Sequence, residues 1–384
     1  MNPASPPETH TSVQNTQELY AMRQRSQALE QCILSGISLF AQLLIGMAFY
    51  LYDHVSTPGY LSILLGVPFA LLLAFFSFSL YRRAPQGCCL LLAGKTGGKW
   101  LARLLSLIFL LDAQMAAFAI SAILSDVLPH FSPLLTMLAV SLMMAAAIGG
   151  EEQYALPRLS RLLRWPLWAA LLLCGLAALP HGSLAYLSPP LGRGMDTILQ
   201  GGLWMSGCLS GACCPLILPG SIKKLSSLPE KRSLFLRPLI VSLLAACLYA
   251  LLIACTLPFF ALARPENLGF RLLLFTKISG SALSWSLLVV SMLFLLLIAL
   301  AAGVLRAAGL LSWTHGKKHS PPLLTLGLLL LISPAAALKT LPLQQALITV
   351  APFRGAAALL VLLLLWLLSL KHRKIRHPEK EEKP

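Results

Sequence analysis

The sequence predicts an all-α integral membrane protein of ten transmembrane helices. Three observations predict it. Ten separate apolar stretches run along the chain; the composition is 57% hydrophobic and only 11% charged, with mean hydropathy +0.77; and positive charge alternates between the gaps. A helix rising ~1.5 Å per residue needs roughly 17–25 residues to cross a hydrocarbon core of about 30 Å. Backbone groups in lipid have no water to bond, so each apolar run is expected to be helical.

In chain order the stretches are Gln31–Tyr52, Tyr60–Leu80, Leu101–Leu124, Phe131–Gly149, Trp165–Leu179, Ile198–Pro219, Leu236–Phe260, Ala282–Gly303, Pro322–Leu338 and Gly355–Leu370. Trp165–Leu179 is short and Pro322–Leu338 is marginal. A formal net charge of +16 in a soluble chain would suggest nucleic acid. Here 24 of the 30 Lys and Arg fall in the two tails and in alternate gaps, Arg306 among them. The opposite face holds Arg193, Arg264, Arg271, Lys277, Lys339 and Arg354. This positive-inside pattern predicts cytoplasmic termini and argues against a nucleic-acid partner.

Residues 1–30 read as a polar cytoplasmic tail with no apolar core of a cleavable signal, and Met1–Thr16 has a disordered composition. Residues 31–370 read as the ten-helix domain, and 371–384 (KHRKIRHPEKEEKP) as a basic cytoplasmic tail. That tail is an orientation anchor, suited also to anionic membrane lipid.

Chemistry-bearing clusters are sparse. The cysteines within stretches (Cys32, Cys174, Cys208, Cys213, Cys214, Cys247 and Cys255) show no Cys-x-x-Cys spacing and read as small apolar residues. His315 and His319 have the i,i+4 spacing of a metal pair, but two lysines lie between them. His54, His130 and His181 fall in outer loops, and Glu151 and Glu152 beside Arg158 and Arg161 suggest a surface ion network. With no nucleophile triad and no phosphate loop, the expectation is no enzyme, no cofactor and no metal.

Ten helices invite division into two halves of five, as in inverted-repeat transporters whose first helix in each half is broken at mid-bilayer. The first stretch carries Ser35, Gly36 and Ser38; the sixth carries Gly201, Gly202, Ser206, Gly207, Ser210, Gly211, Pro215 and Pro219. Glycine costs ~1 kcal/mol and proline ~3 kcal/mol in a helix interior relative to alanine. Two readings stand: broken helices lining a ligand site, or small residues at four-residue spacing that let helices pack closely. Asp112 lies in the third stretch with no basic residue nearby in that helix. A carboxylate there costs at least ~2.5–3.5 kcal/mol. It reads as a proton or cation site, a counter-charge for a ligand amine, or a neutral hydrogen-bonding acid. Ala263–Ser281 and Leu341–Pro352 read as loops resting on the membrane, with an interfacial or gating helix as the alternative.

Several segments together resemble a known family. They are TPGYLSILLG (Thr57–Gly66), YRRAPQGCCLLLAGKTGGKWLARLL (Tyr81–Leu105), LPHFSP (Leu128–Pro133) and GGEEQYALPRLSRLL (Gly149–Leu163), with weaker similarity over Leu187–Gly207. Their order is similar to that of the spore germination GerAB group of permease-like proteins, within the amino acid/polyamine/organocation superfamily. The resemblance implies a LeuT-like fold of two five-helix inverted repeats. It also implies the membrane-embedded B subunit of a nutrient germinant receptor in the inner spore membrane, alongside an A subunit and a lipoprotein C subunit. On that reading an amino acid or similar nutrient lies between the first and sixth helices, its carboxylate at helix N-termini. Gly36, Gly201, Gly202 and Gly207 would allow close backbone approach, Ser35, Ser38, Ser206 and Ser210 would supply hydroxyls, and Asp112 would serve the amine or a proton. A stand-alone proton-coupled amino acid permease and a scaffold for partner subunits are the alternatives.

Overall fold

Backbone groups shielded from water bond along their own segment, and the described parts of the chain are accordingly helices and short turns. The structure, a computed structural model, describes residues 29–48, 55, 58–83, 89–127, 155–188, 191, 193–209, 231–256, 282–315 and 341–375. The helices are α1 (Leu29–Gly46), α2 (Gly59–Arg83), α3 (Gly94–Val127), α4 (Ala155–Ala178), α5 (Met195–Cys208), α6 (Lys231–Thr256), α7 (Ala282–His315) and α8 (Leu341–Ile375). A 3₁₀ turn over Cys89–Ala93 leads into α3, and two more follow α4. The fourth and ninth predicted stretches, the second half of the sixth, and Ala263–Ser281 lie outside the described residues.

Six of these helices are long and apolar enough to cross a membrane: α1, α2, α3, α6, α7 and α8. The predicted count of ten reaches beyond the described residues. Helix α4 carries Arg158, Arg161 and Arg164 in its first half. Helix α5 has 14 residues, about 21 Å at 1.5 Å per residue, which is too short to span. Gly194, at φ 126°, lets the chain turn into α5. Asp196 in the first turn suits the positive end of the helix dipole.

Helix α1 is the axis of the bundle, with 94% of its span buried. Phe40 stacks against Trp168 of α4 and edge-on against Tyr249 of α6, at 5.2 and 6.4 Å between ring centroids. Gly46 lies under Cys208, Met205 and Trp204 of α5. Helices α3 and α7 share an extensive interface and run antiparallel, since Gly98 meets Trp313 while Gly303 meets Phe109 and Ala113. Helix α2 runs parallel to α5, joined by Ser62 donating to the Ile198 carbonyl at 3.0 Å. At the far end of α2, Arg83 donates to Ser369 at 3.0 Å and lies over Trp366, whose indole donates to Ser79 at 3.2 Å, pinning α8.

Two boundary differences from the sequence reading change where buried charge lies. Helix α7 runs on past Gly303 to His315, and α8 begins at Leu341, before Gly355. The segment Leu341–Pro352 is therefore part of a helix and not a loop. Both glycines sit at helix contacts instead of helix ends. Gly355 rests on the Ser206 carbonyl of α5, where a Cβ could not fit, and a Cβ on Gly303 would stand 2.9 Å from both Ala113 Cβ and the Phe109 carbonyl. As a result, Arg306 and Arg354, which the sequence places in loops, are inside the bundle at 4% and 3% exposure.

Close approach at Gly303 makes a paired prediction. Gly303→Val is expected to destabilise the purified protein by about 1–3 kcal/mol through overpacking. A Cβ added at Gly309 would meet nothing within 4 Å. Gly309→Ala is therefore expected to stabilise by about 0.5–1 kcal/mol. Thermal unfolding in one detergent should move the two midpoints in opposite directions.

Candidate functional site

Four helices, α1, α3, α7 and α8, bring buried polar side chains together at two levels of the bundle. On α1, Ser35, Ser38 and Gln42 recur at i, i+3 and i+7, so they share one face, and all three are buried. Opposite them stand Phe109 and Asp112 of α3 and Arg306 of α7. Gln42 pairs with the Asp112 backbone and the two serines with Arg306, which creates two polar layers. The layers are separated by about one helical turn, roughly 5 Å.

The first layer is an ion pair. Arg354 Nη1 donates to Asp112 Oδ1 at 2.6 Å, with both side chains almost fully buried. Gln42 Nε2 donates to the Asp112 carbonyl at 2.8 Å, tying α1 to the same point. Because Gly355 rests on Ser206, Arg354 stands at the C-terminal end of α5, beside the Cys208 thiol. That end presents carbonyls and the negative pole of the helix dipole, which favours a cation. Asp112 thus has an arginine partner that its own helix does not supply.

The second layer is a cation held by neutral groups. Arg306 Nη2 donates to Ser35 Oγ at 3.0 Å and Nη1 to Ser38 Oγ at 3.3 Å. The guanidinium lies 6.0 Å from the centre of the Phe109 ring. Among the described residues no carboxylate comes within ion-pair distance of it. Hydroxyls and a ring face offset only part of the several kcal/mol needed to desolvate a charge. Taken together, the two layers are a neutral pair and one buried positive charge.

The other predicted site residues divide. Gly36 faces away from Arg306: a Cβ added there would lie 3.0 Å from Pro238, and the Gly36 carbonyl accepts from Ser242 at 2.7 Å. Gly201 and Gly202 pack on Ser62, Val55 and Leu65, and Gly207 lies under Gly355. Ser206 donates to the Leu203 carbonyl of its own helix. Ser210 lies outside the described residues. Close packing therefore accounts for these glycines. Helix α1 continues without a break from Leu29 to Gly46 and becomes a π-helix at 47–48; the remainder of the first predicted stretch, residues 49–52, lies outside the described residues. Helix α5, by contrast, ends at Cys208 with that residue and Leu209 buried, so a helix end does lie inside the bundle.

Sequence reasoning missed Arg306, Arg354 and Gln42. The signal for Arg306 is its setting in IALAAGVLRAAGLLSW, apolar on both sides. No group of three or more His, Cys, Asp or Glu among the described residues is placed to hold a metal ion.

Breaking the pair leaves one buried charge uncompensated, so Arg354→Gln is expected to cost about 3–5 kcal/mol, and Asp112→Asn a similar amount. The double variant Asp112→Asn/Arg354→Gln should be more stable than either single one. A double-mutant cycle on thermal unfolding measures the coupling.

The fold is similar to that of the Eremococcus coleocola manganese transporter in complex with an aromatic bis-isothiourea substituted compound. The TM-score is 0.51 at 12% identity, covering 99% of this chain and 91% of that one. A histidine-to-alanine mutant of the same transporter gives a TM-score of 0.48 at 15% identity, covering 96% and 81%. The first of these likenesses bears on fold alone. No curated protein matches the chain. The family model described as "Spore germination protein", the spore permease model, matches residues 33–258. That region includes Ser35, Ser38, Gln42 and Asp112 and excludes both buried arginines. With more than half of its 384 residues matched, the chain belongs to the spore germination protein family.

Proposed function

We propose that this integral membrane protein is the B subunit of a spore nutrient germinant receptor, binding an amino acid or similar small nutrient within a transporter-like fold. Family membership supports the setting: the inner spore membrane, with A and C subunits as partners and a LeuT-like arrangement of two five-helix repeats. The positive-inside distribution of Lys and Arg supports cytoplasmic termini.

The observation that carries the ligand class is Arg306. A buried guanidinium whose hydrogen-bond partners among the described residues are hydroxyls gains most from an anion, and its planar fork matches a carboxylate with two parallel hydrogen bonds. A ligand carboxylate would take the place of Ser35 and Ser38 on Arg306, with the two hydroxyls turning to donate to it. This moves the carboxylate site from helix N-termini, where the sequence reading put it, to a side chain. The ligand amine would face the layer above. Asp112 is engaged by Arg354 there, whereas Gln42 Oε1, an acceptor, has no hydrogen-bond partner among the described residues. Buried polar atoms of that kind call for a partner. The carbonyl end of α5 adds to the same preference for a cation.

A second reading, a stand-alone proton-coupled amino acid permease, draws on the transporter-like fold and the buried carboxylate. Proton-driven uptake into liposomes that is lost in Asp112→Asn would favour it.

Spores lacking this gene are expected to lose the response to one nutrient class while a non-nutrient trigger still germinates them. A normal response to every single nutrient, in a strain with no second receptor of this family, would refute the receptor reading. In the complemented strain, Arg306→Gln at normal protein level should raise the nutrient concentration for half-maximal germination by roughly 10- to 100-fold, the loss expected for a charge-assisted hydrogen-bond pair. An unchanged dose response would remove Arg306 from the ligand site.

A further inference from the structure

At the end of the bundle where α1 begins, a groove of ≈ 250 Å³ runs between α1, α4 and α6. Its walls are apolar, with Ile33 and Ile37 from α1, Trp168 from α4 and Val241 from α6. Arg164 and Arg237 stand in the same lining. Val241 is 51% exposed, so the groove opens sideways onto the outer surface of the bundle and not into its axis.

Three observations bear on its occupant. First, among the described residues no carboxylate lies within ion-pair distance of Arg164 or Arg237. The acid on this rim, Glu30, accepts from Arg161 at 3.2 Å. Second, Arg164 lies 4.6 Å from the ring centre of Trp165, itself 69% exposed on the exterior. Exposed tryptophan beside arginine marks the headgroup level of a bilayer, and Trp100, at the matching end of α3, is 67% exposed. Third, the apolar wall runs from that level along about one turn of α1, from Ile33 to Ile37, toward the membrane interior. The surface therefore offers cationic donors at headgroup depth and hydrocarbon contacts below them.

We infer that this groove is a binding site for one anionic phospholipid, its phosphate held between Arg164 and Arg237 and one acyl chain laid along Ile33, Ile37 and Val241. The site is separate from the Arg306 layer, on the opposite face of α1, and does not depend on which nutrient the protein senses. Gly36 and Ser242 belong to its floor, so lipid in the groove presses on the contact that holds α1 against α6.

The test is native mass spectrometry of the full-length protein titrated with phosphatidylglycerol and, in parallel, phosphatidylcholine. The wild type should retain phosphatidylglycerol selectively. Arg164→Gln/Arg237→Gln should weaken that retention about 30-fold, given ~1 kcal/mol for each basic residue at an anionic surface. Val241→Trp, which keeps both charges and fills the groove, should weaken it as well, and serves if the arginine variant fails to fold. A variant with Lys371, Arg373, Lys374 and Arg376 changed to Gln should retain most of the binding. The proposal is overturned if the arginine and tryptophan variants bind as the wild type does, or if the tail variant alone abolishes binding. It is also overturned if inorganic phosphate at equal concentration displaces the lipid, which would assign the arginines to a soluble anion.

Discussion

The ion pair between Asp112 and Arg354 is the constraint around which the rest of the structure is arranged. Neither charge is tolerable alone in a lipid-enclosed interior, and at 2.6 Å each supplies what the other lacks. The requirement is geometric as well as electrostatic. Arg354 reaches α3 only because α8 approaches α5 backbone to backbone at Gly355, with the Ser206 carbonyl against it. Gln42 then draws α1 to the same level by bonding the Asp112 carbonyl. One desolvated contact thus sets the relative heights of four helices. The apolar surfaces that pack them would by themselves allow sliding, since lipid is as apolar as the helices.

One turn away, α1 and α3 hold a second arginine, from α7, differently. Arg354 is neutralised within the chain, whereas Arg306 is given two serines and an aromatic ring. The contrast separates a charge matched by a carboxylate from one held by neutral groups. It also assigns the polar face of α1 a double role. Gln42 ties α1 to the ion-pair layer, while Ser35 and Ser38 accept hydrogen bonds from the Arg306 guanidinium. Any movement of α1 along its axis shifts both layers together.

Much of the helical architecture was legible in the sequence because hydropathy reports directly on the solvent a segment faces. The predicted stretches for α2, α3 and α6 begin and end within several residues of the helices. Asp112 stood out because an acid in an apolar run has few ordinary explanations. The two arginines were illegible for a single reason. Gly303 and Gly355 read as helix boundaries, so each neighbouring arginine fell into a loop, whereas both glycines are there to let another helix approach. A one-dimensional profile cannot distinguish a glycine that ends a helix from one that receives a neighbour. The small residues of the sixth stretch illustrate the same ambiguity: Gly201 and Gly202 pack on α2, yet α5 does end inside the bundle at Cys208. The serines of α1 were correctly singled out by type, but their partner, Arg306, lies 268 residues from Ser38 along the chain, and no local pattern records such a pairing.

The most direct measurement is the infrared difference spectrum between wild-type protein and Asp112→Asn in lipid nanodiscs at neutral pH. If the ion pair organises the core, the difference contains the loss of an ionised carboxylate stretch together with a shift of guanidinium bands. Loss of a protonated carboxylic acid band instead, with the guanidinium region unchanged, would contradict it.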